Sequence, residues 1–86
     1  MKKIEYNDQK NVIHAQLKKA RIAAALSQSQ LAAKMQTMGL NIDQQMISKI
    51  ENNNRIVTDY ELACLCSILG VEQKEMLRDF YDGQFD

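Results

Sequence analysis

Leu26-Ser27-Gln28-Ser29-Gln30-Leu31-Ala32-Ala33-Lys34-Met35, followed by Gly39, Asp43 and Met46-Ile47-Ser48-Lys49-Ile50-Glu51, reads as two short helices joined by a turn. Ser27 stands three positions before Gln30, so its oxygen can accept the Gln30 backbone N–H while the Gln30 side chain reaches back, a reciprocal cap that starts a helix. Leu31, Ala32 and Met35 carry this helix to about Thr37, and Gly39 is placed to take the left-handed conformation that ends it. After a turn over Gly39 to Ile42, Asp43 caps a further helix. This one sets Ile47 and Ile50 on one side and Gln45, Ser48, Lys49 and Asn52 along another.

Upstream, Ile13, Leu17, Ala20 and Ala24 recur at spacings of four, three and four, the stripe of an amphipathic helix, which predicts a first helix from about Asn7 to Ala25. Downstream, Asn52-Asn53-Asn54-Arg55 reads as a loop, because consecutive asparagines favour turns and left-handed conformations. Thr58 and Glu61 form a second capping box, Leu62, Leu65, Cys66 and Leu69 form a buried stripe, and Gly70 closes that fourth helix. A short fifth helix is predicted over Gln73 to Phe80, with Met76, Leu77 and Phe80 packing back on the core. Residues 81–86 read as a frayed acidic tail. The expected architecture is all-α: one five-helix domain over residues 1–80 and a tail.

Composition agrees. The 86 residues contain no proline and three glycines, and a chain of this length builds a single modest core. No run approaches the ~20 apolar residues of a membrane span, and Met1 to Lys10 lacks the apolar stretch of a signal peptide, so a soluble cytoplasmic protein is expected. Cys64 and Cys66 lie two apart in a helical pattern and so point in different directions, which disfavours a disulfide or a metal site. His14 has no second ligand at metal spacing. No nucleophile–base pair, phosphate loop or carboxylate pair can be assembled, so neither enzymatic activity nor a cofactor is expected.

Net charge is zero, but it is unevenly distributed. Residues 1–55 carry nine Lys/Arg against four Asp/Glu, a balance of +5, and residues 56–86 carry two against seven, a balance of −5. A basic first half can face a polyanion while the acidic end points away, or can face an acidic surface of a second subunit; two solvated faces are the plainer alternative.

The stretch quoted above, with its LSQ…LA and ISKIE signatures, resembles the Cro and phage-repressor class of helix-turn-helix domains, the XRE-type regulators. The likeness extends over about 60 of the 86 residues, from Leu17 to Arg21 at one end to Tyr60-Glu61-Leu62, Leu69-Gly70-Val71 and Leu77 at the other. It implies a lambda-repressor-like bundle whose third helix enters the DNA major groove. Between Met35 and Ile47 the chain carries about five more residues than the shortest members, so the usual turn of ~3–4 residues is enlarged.

Within that resemblance Gln44, Gln45, Ser48 and Lys49, at the start of helix three and one turn on, are the candidates for reading bases. A glutamine amide can bond bidentately to adenine N6 and N7. Polar residues on a merely solvated helix face are the alternative. Gln28 looks like the family's phosphate-contacting glutamine, set where a helix N-terminus presents free N–H groups, or is simply a helix-start residue. Asn52, Asn53 and Arg55 are candidates for phosphate contacts or are turn formers. The resemblance further implies a structural pair between Arg21 and Glu51.

The expected function is a sequence-specific transcription regulator, a bare repressor or antitoxin-like autoregulator, binding a double-stranded operator as a homodimer through Leu77, Phe80, Tyr81 or Phe85. A protein-interaction module docking a partner protein is the alternative.

Overall fold

Helix α1 (His14–Ala23) begins seven residues later than the apolar spacing predicts. In the computed structural model, which describes residues 5–86, the preceding segment is a turn: Tyr6 and Gln9 exchange backbone hydrogen bonds of 2.8 Å, and Asn7 and Asp8 have φ of 46° and 66°. The cause of the late start is Asn11, a buried polar residue. Its side-chain N–H groups donate to the carbonyls of Ile50 and Arg55, at 2.9 Å each, and its oxygen accepts the Ile13 N–H at 3.1 Å. Those bonds to residues some forty positions along the chain outweigh the local helical preference and hold residues 11–13 in a non-helical path. Met1 to Ile4, including Lys2 and Lys3 of the basic half, lie outside the described residues.

Five further helices follow: α2 (Gln28–Thr37), α3 (Gln44–Glu51), α4 (Asp59–Leu69), α5 (Gln73–Met76) and α6 (Arg78–Tyr81). Both capping boxes form as read, with Ser27 accepting from the Gln30 N–H and Thr58 from the Glu61 N–H. Asp43 caps α3 by accepting the Met46 N–H at 2.8 Å. The single fifth helix predicted from sequence is two, divided at Leu77, whose ψ of 11° leaves the helical range while its side chain stays packed on the core.

The first four helices end in one device. Ala25, Gly39, Asn53 and Gly70 all have positive φ, and in each case the next residue's N–H reaches back to a carbonyl five positions earlier: Leu26 to Arg21, Leu40 to Met35, Asn54 to Lys49 and Val71 to Cys66. Only two of these positions are glycine. Asparagine tolerates the left-handed region, whereas Ala25 holds it at a steric cost.

The core is built from Ile13, Leu17, Leu31, Met35, Ile47, Ile50, Leu65 and Met76, with contributions from every helix except α6. Ile42 joins it from the enlarged turn, which spans residues 38–43. The Gln36 side chain holds that turn by donating to the Ile42 carbonyl at 2.9 Å. The extra residues therefore feed the core through Ile42.

The C-terminal residues are packed against the rest of the chain. Asn7 donates to the Phe85 carbonyl at 2.8 Å, the Phe85 ring lies 5.7 Å from the His14 ring, and Tyr6 meets Phe80 edge-on at 5.3 Å. Residues 82–86 thus close against the turn that precedes α1. Where a loose tail is expected from sequence, the structure sets these residues against a turn that supplies aromatic and amide partners.

Candidate nucleic-acid interface

Helix α3 is two-faced. Ile47 and Ile50 are fully buried, while Gln44, Gln45, Lys49 and Asn52 are exposed and Ser48 is half-buried. The spacing of 44, 45, 48, 49 and 52 puts these side chains on the face opposite the core, so the four base-reading candidates share one outward strip.

What anchors the first residue of that strip, Gln44, is a chain of hydrogen bonds running through three helices. Arg21 of α1 donates to Glu51 of α3 through Nε at 2.6 Å and Nη2 at 3.0 Å, and its Nη1 donates to the Leu26 carbonyl at 2.9 Å. Glu51, only 3% exposed at its side chain, also accepts Nε2 of Gln28 at 3.1 Å, and the Gln28 oxygen accepts Nε2 of Gln44 at 2.7 Å. The pair that the resemblance implied between Arg21 and Glu51 is present. The hydrogen bonds it donates to Glu51 hold the Arg21 guanidinium in its charged form, above its ordinary value. Gln28, a phosphate-contact candidate from the sequence, also forms a bridge that carries the order of the buried pair out to Gln44.

Gln28 retains one amide N–H, and the N–H groups of the first α2 turn precede that helix's first internal bond. Gln44 retains its oxygen and one N–H, a donor–acceptor pair on a side chain already anchored. Gln45 and Lys49 stand beside it without a fixed partner among the described residues.

The loop behind α3 differs. Asn53 accepts the backbone N–H of Lys10 at 2.8 Å and of Asn11 at 3.4 Å, and donates to the Gln9 oxygen at 3.0 Å. Arg55 meets Glu61 with two bonds, of 2.9 and 3.0 Å, and also donates to the Ile56 carbonyl. Both side chains, which sequence placed among the phosphate candidates, are engaged within the protein. Asn52 remains exposed, donating to the Ser48 carbonyl at 2.9 Å. Burial by itself would raise the Glu61 carboxyl; the hydrogen bonds from Arg55 and Thr58 outweigh it and hold the group below its ordinary value.

Sequence reasoning missed Asn11 and the Gln28 bridge. Asn11 had a faint signal, an amide beside the first buried isoleucine, but its partners are backbone carbonyls some forty residues away, which no local pattern reveals.

Elsewhere, His14 is hydrogen-bonded to the Gln9 oxygen at 2.9 Å, and Cys64 and Cys66 are free thiols, with burial pushing Cys66 up. Among the described residues no group of His, Cys, Asp and Glu is placed to hold a metal, and no helix is long and apolar enough to cross a membrane.

No curated protein matches the chain. A family model described as helix-turn-helix matches residues 17–72, from the middle of α1 to the residue before α5. That span contains every member of the Arg21–Glu51–Gln28–Gln44 network and the whole exposed strip of α3, so the chain belongs to the Cro/C1-type helix-turn-helix family, the XRE family, and is a DNA-binding helix-turn-helix protein.

Proposed function

We propose that the protein is a sequence-specific transcription regulator, a repressor that reads the major groove with α3 and binds as a dimer on an inverted repeat. The observation that carries this reading is Gln44. It stands exposed at the N-terminal end of α3, its amide fixed through Gln28 to a buried ion pair, with one acceptor and one donor left to meet a base edge. Preorganisation of this kind reduces the ordering cost of a bidentate contact, and adenine presents the complementary N7 acceptor and N6 donor.

Gln45, Ser48 and Lys49 extend the reading strip by a turn. Gln28 and Asn52 flank it and serve as phosphate contacts, whereas the engagement of Asn53 and Arg55 gives those two the task of shaping the loop. The basic balance of residues 1–55 supports a polyanion as partner, and Lys34 and Lys49 are exposed on α2 and α3 themselves. Nothing in this mechanism calls for catalysis or a cofactor.

Selection from random duplexes at two salt concentrations tests the proposal. A salt-sensitive inverted repeat is expected, because phosphate contacts release counterions. Failure to enrich any sequence would overturn it and favour a module that docks a partner protein.

A further inference from the structure

Glu51, Gln28 and Gln44 stand in line from the interior to the outward strip of α3, and the line has a direction. A carboxylate can only accept hydrogen bonds, so Gln28 must turn its amide nitrogen to Glu51, which it meets at 3.1 Å. The Gln28 oxygen is thereby turned to Gln44 and requires an N–H there, which Gln44 Nε2 supplies at 2.7 Å. Both Glu51 oxygens also accept from Arg21, at 2.6 and 3.0 Å, and these bonds fix the carboxylate at the head of the line.

We propose that Glu51, acting through Gln28, decides which purine Gln44 reads: the line of bonds admits adenine and rejects guanine. The inference deepens the DNA reading above and rests on it. Neither Glu51 nor Gln28 touches the base in this role, and both are positioning residues.

The discrimination follows from what the line leaves open. A free glutamine amide has two N–H groups and an oxygen. It can give two donors to guanine, whose major-groove edge offers the N7 and O6 acceptors, or one donor and one acceptor to adenine, which offers N7 and the N6 amine. Gln44 has already committed one N–H to Gln28. What remains is one donor and one acceptor, the adenine pattern. Against guanine the Gln44 oxygen would face O6, acceptor against acceptor, and a polar group left unpaired in a closed contact is costly.

The bond that holds this choice is stronger than an isolated amide pair, because the Glu51 charge polarises Gln28 and makes its oxygen a better acceptor. Gln45 supplies the contrast. It is exposed on the same strip without a fixed partner among the described residues, so its amide is free to present either pattern.

Competition binding on the inverted repeat recovered by selection tests the assignment. At the base pair where Gln44→Ala relaxes preference, adenine is replaced by guanine, by adenine with carbon in place of N7, and by purine, which lacks the N6 amine. The unaltered protein is expected to lose about tenfold in affinity with each replacement. Gln28→Met keeps a side chain of similar length but neither bond, and its preference for adenine over guanine should fall to about twofold. Asn52→Ala, which removes a different proposed phosphate contact, should weaken both duplexes alike and leave the ratio intact. Glu51→Gln should lower the ratio as Gln28→Met does, since a carboxamide donates as well as accepts and lets Gln28 reverse. At the base pair that Gln45→Ala relaxes, the unaltered protein should separate the two purines by less than at the Gln44 position.

Equal or tighter binding of guanine at the Gln44 position by the unaltered protein overturns the proposal. So does an unchanged purine ratio in Gln28→Met, a variant that does not disturb the Arg21–Glu51 pair and so keeps the test open if Glu51→Gln fails to fold. Either result leaves sequence-specific binding standing. Selection that returns no preferred sequence is a different failure: it removes the DNA reading, and this inference with it.

Discussion

The two ends of α3 carry similar residues and use them in opposite ways. At the N-terminal end Gln44 and Gln45 are exposed, and the one bond that restrains Gln44 leaves half of its amide open. Behind the C-terminal end, Asn53 ties down residues 9–11 and Arg55 grips Glu61 with both terminal nitrogens. A polar side chain next to the proposed reading helix can therefore be committed within the protein instead of left open to a ligand. What separates the two ends is geometry. The left-handed φ of 61° at Asn53 turns the chain back toward the segment before α1, whereas Asp43 starts α3 with its first side chains facing out.

Glu51 joins the two behaviours, so its loss breaks the comparison most severely. Glu51→Ala leaves Arg21 with only the Leu26 carbonyl and frees Gln28 from its anchor. Breaking a pair this buried is expected to cost about 3 kcal/mol in urea unfolding. Below the melting range, the remaining folded protein should bind DNA more weakly, because Gln44 is no longer preset. A loss under about 1 kcal/mol would show that the network is ornamental.

Arg55→Met tests the other end. Glu61 stays buried and loses the cation that offsets its burial, so about 2 kcal/mol of stability should go, less than for Glu51 because Arg55 is 22% exposed. The pH dependence has a definite sign. Glu61 is depressed in the folded state, so it contributes stability above the unfolded carboxylate value of about 4.3, and that contribution is lost as pH falls through the lower folded value. In Arg55→Met burial prevails and the folded value rises, so this share of the acid-side loss of stability should disappear. The salt dependence of DNA binding should stay unchanged; a slope shallower by about 0.9 would instead make Arg55 a phosphate ligand.

How legible these features were follows from their range. The caps at Ser27, Asp43 and Thr58 and the stop at Gly39 lie within a few residues of the groups they serve, and sequence placed them correctly. The start of α1, the break at Leu77 and the packing of the tail depend on partners far along the chain, such as Asn11 on Ile50 and Asn7 on Phe85. Apolar periodicity is blind to these. The site divides in the same way. The outward strip of α3 follows from its 3.6-residue period and the Arg21–Glu51 pair from the family resemblance, but the Gln28 bridge and the inward turns of Asn53 and Arg55 depend on tertiary partners that no local pattern encodes.

Gln44→Ala sharpens the contrast on the reading side. Stability should barely change, since Gln44 is exposed and its one bond is to another side chain. Affinity for the selected operator should fall about tenfold, ~1.4 kcal/mol, with preference relaxed at one base pair. Equal losses on operator and scrambled duplex would reassign Gln44 from base to backbone.

The smallest effect belongs to Asn53→Gly. Glycine keeps the left-handed backbone without steric cost, so only the side-chain bonds to residues 9–11 are lost. Solvent partly replaces bonds at a half-buried site, and the net cost should be about 1 kcal/mol. Asn53→Ala should cost about 1 kcal/mol more, because it adds a Cβ to a φ of 61° with no compensating bond. Amide exchange should quicken over residues 9–13 in both variants, while operator affinity and its salt slope hold. If Asn53→Gly instead weakens DNA binding with that segment still protected, the C-terminal end of α3 touches DNA, as is proposed for the N-terminal end, and the asymmetry between the two ends is lost.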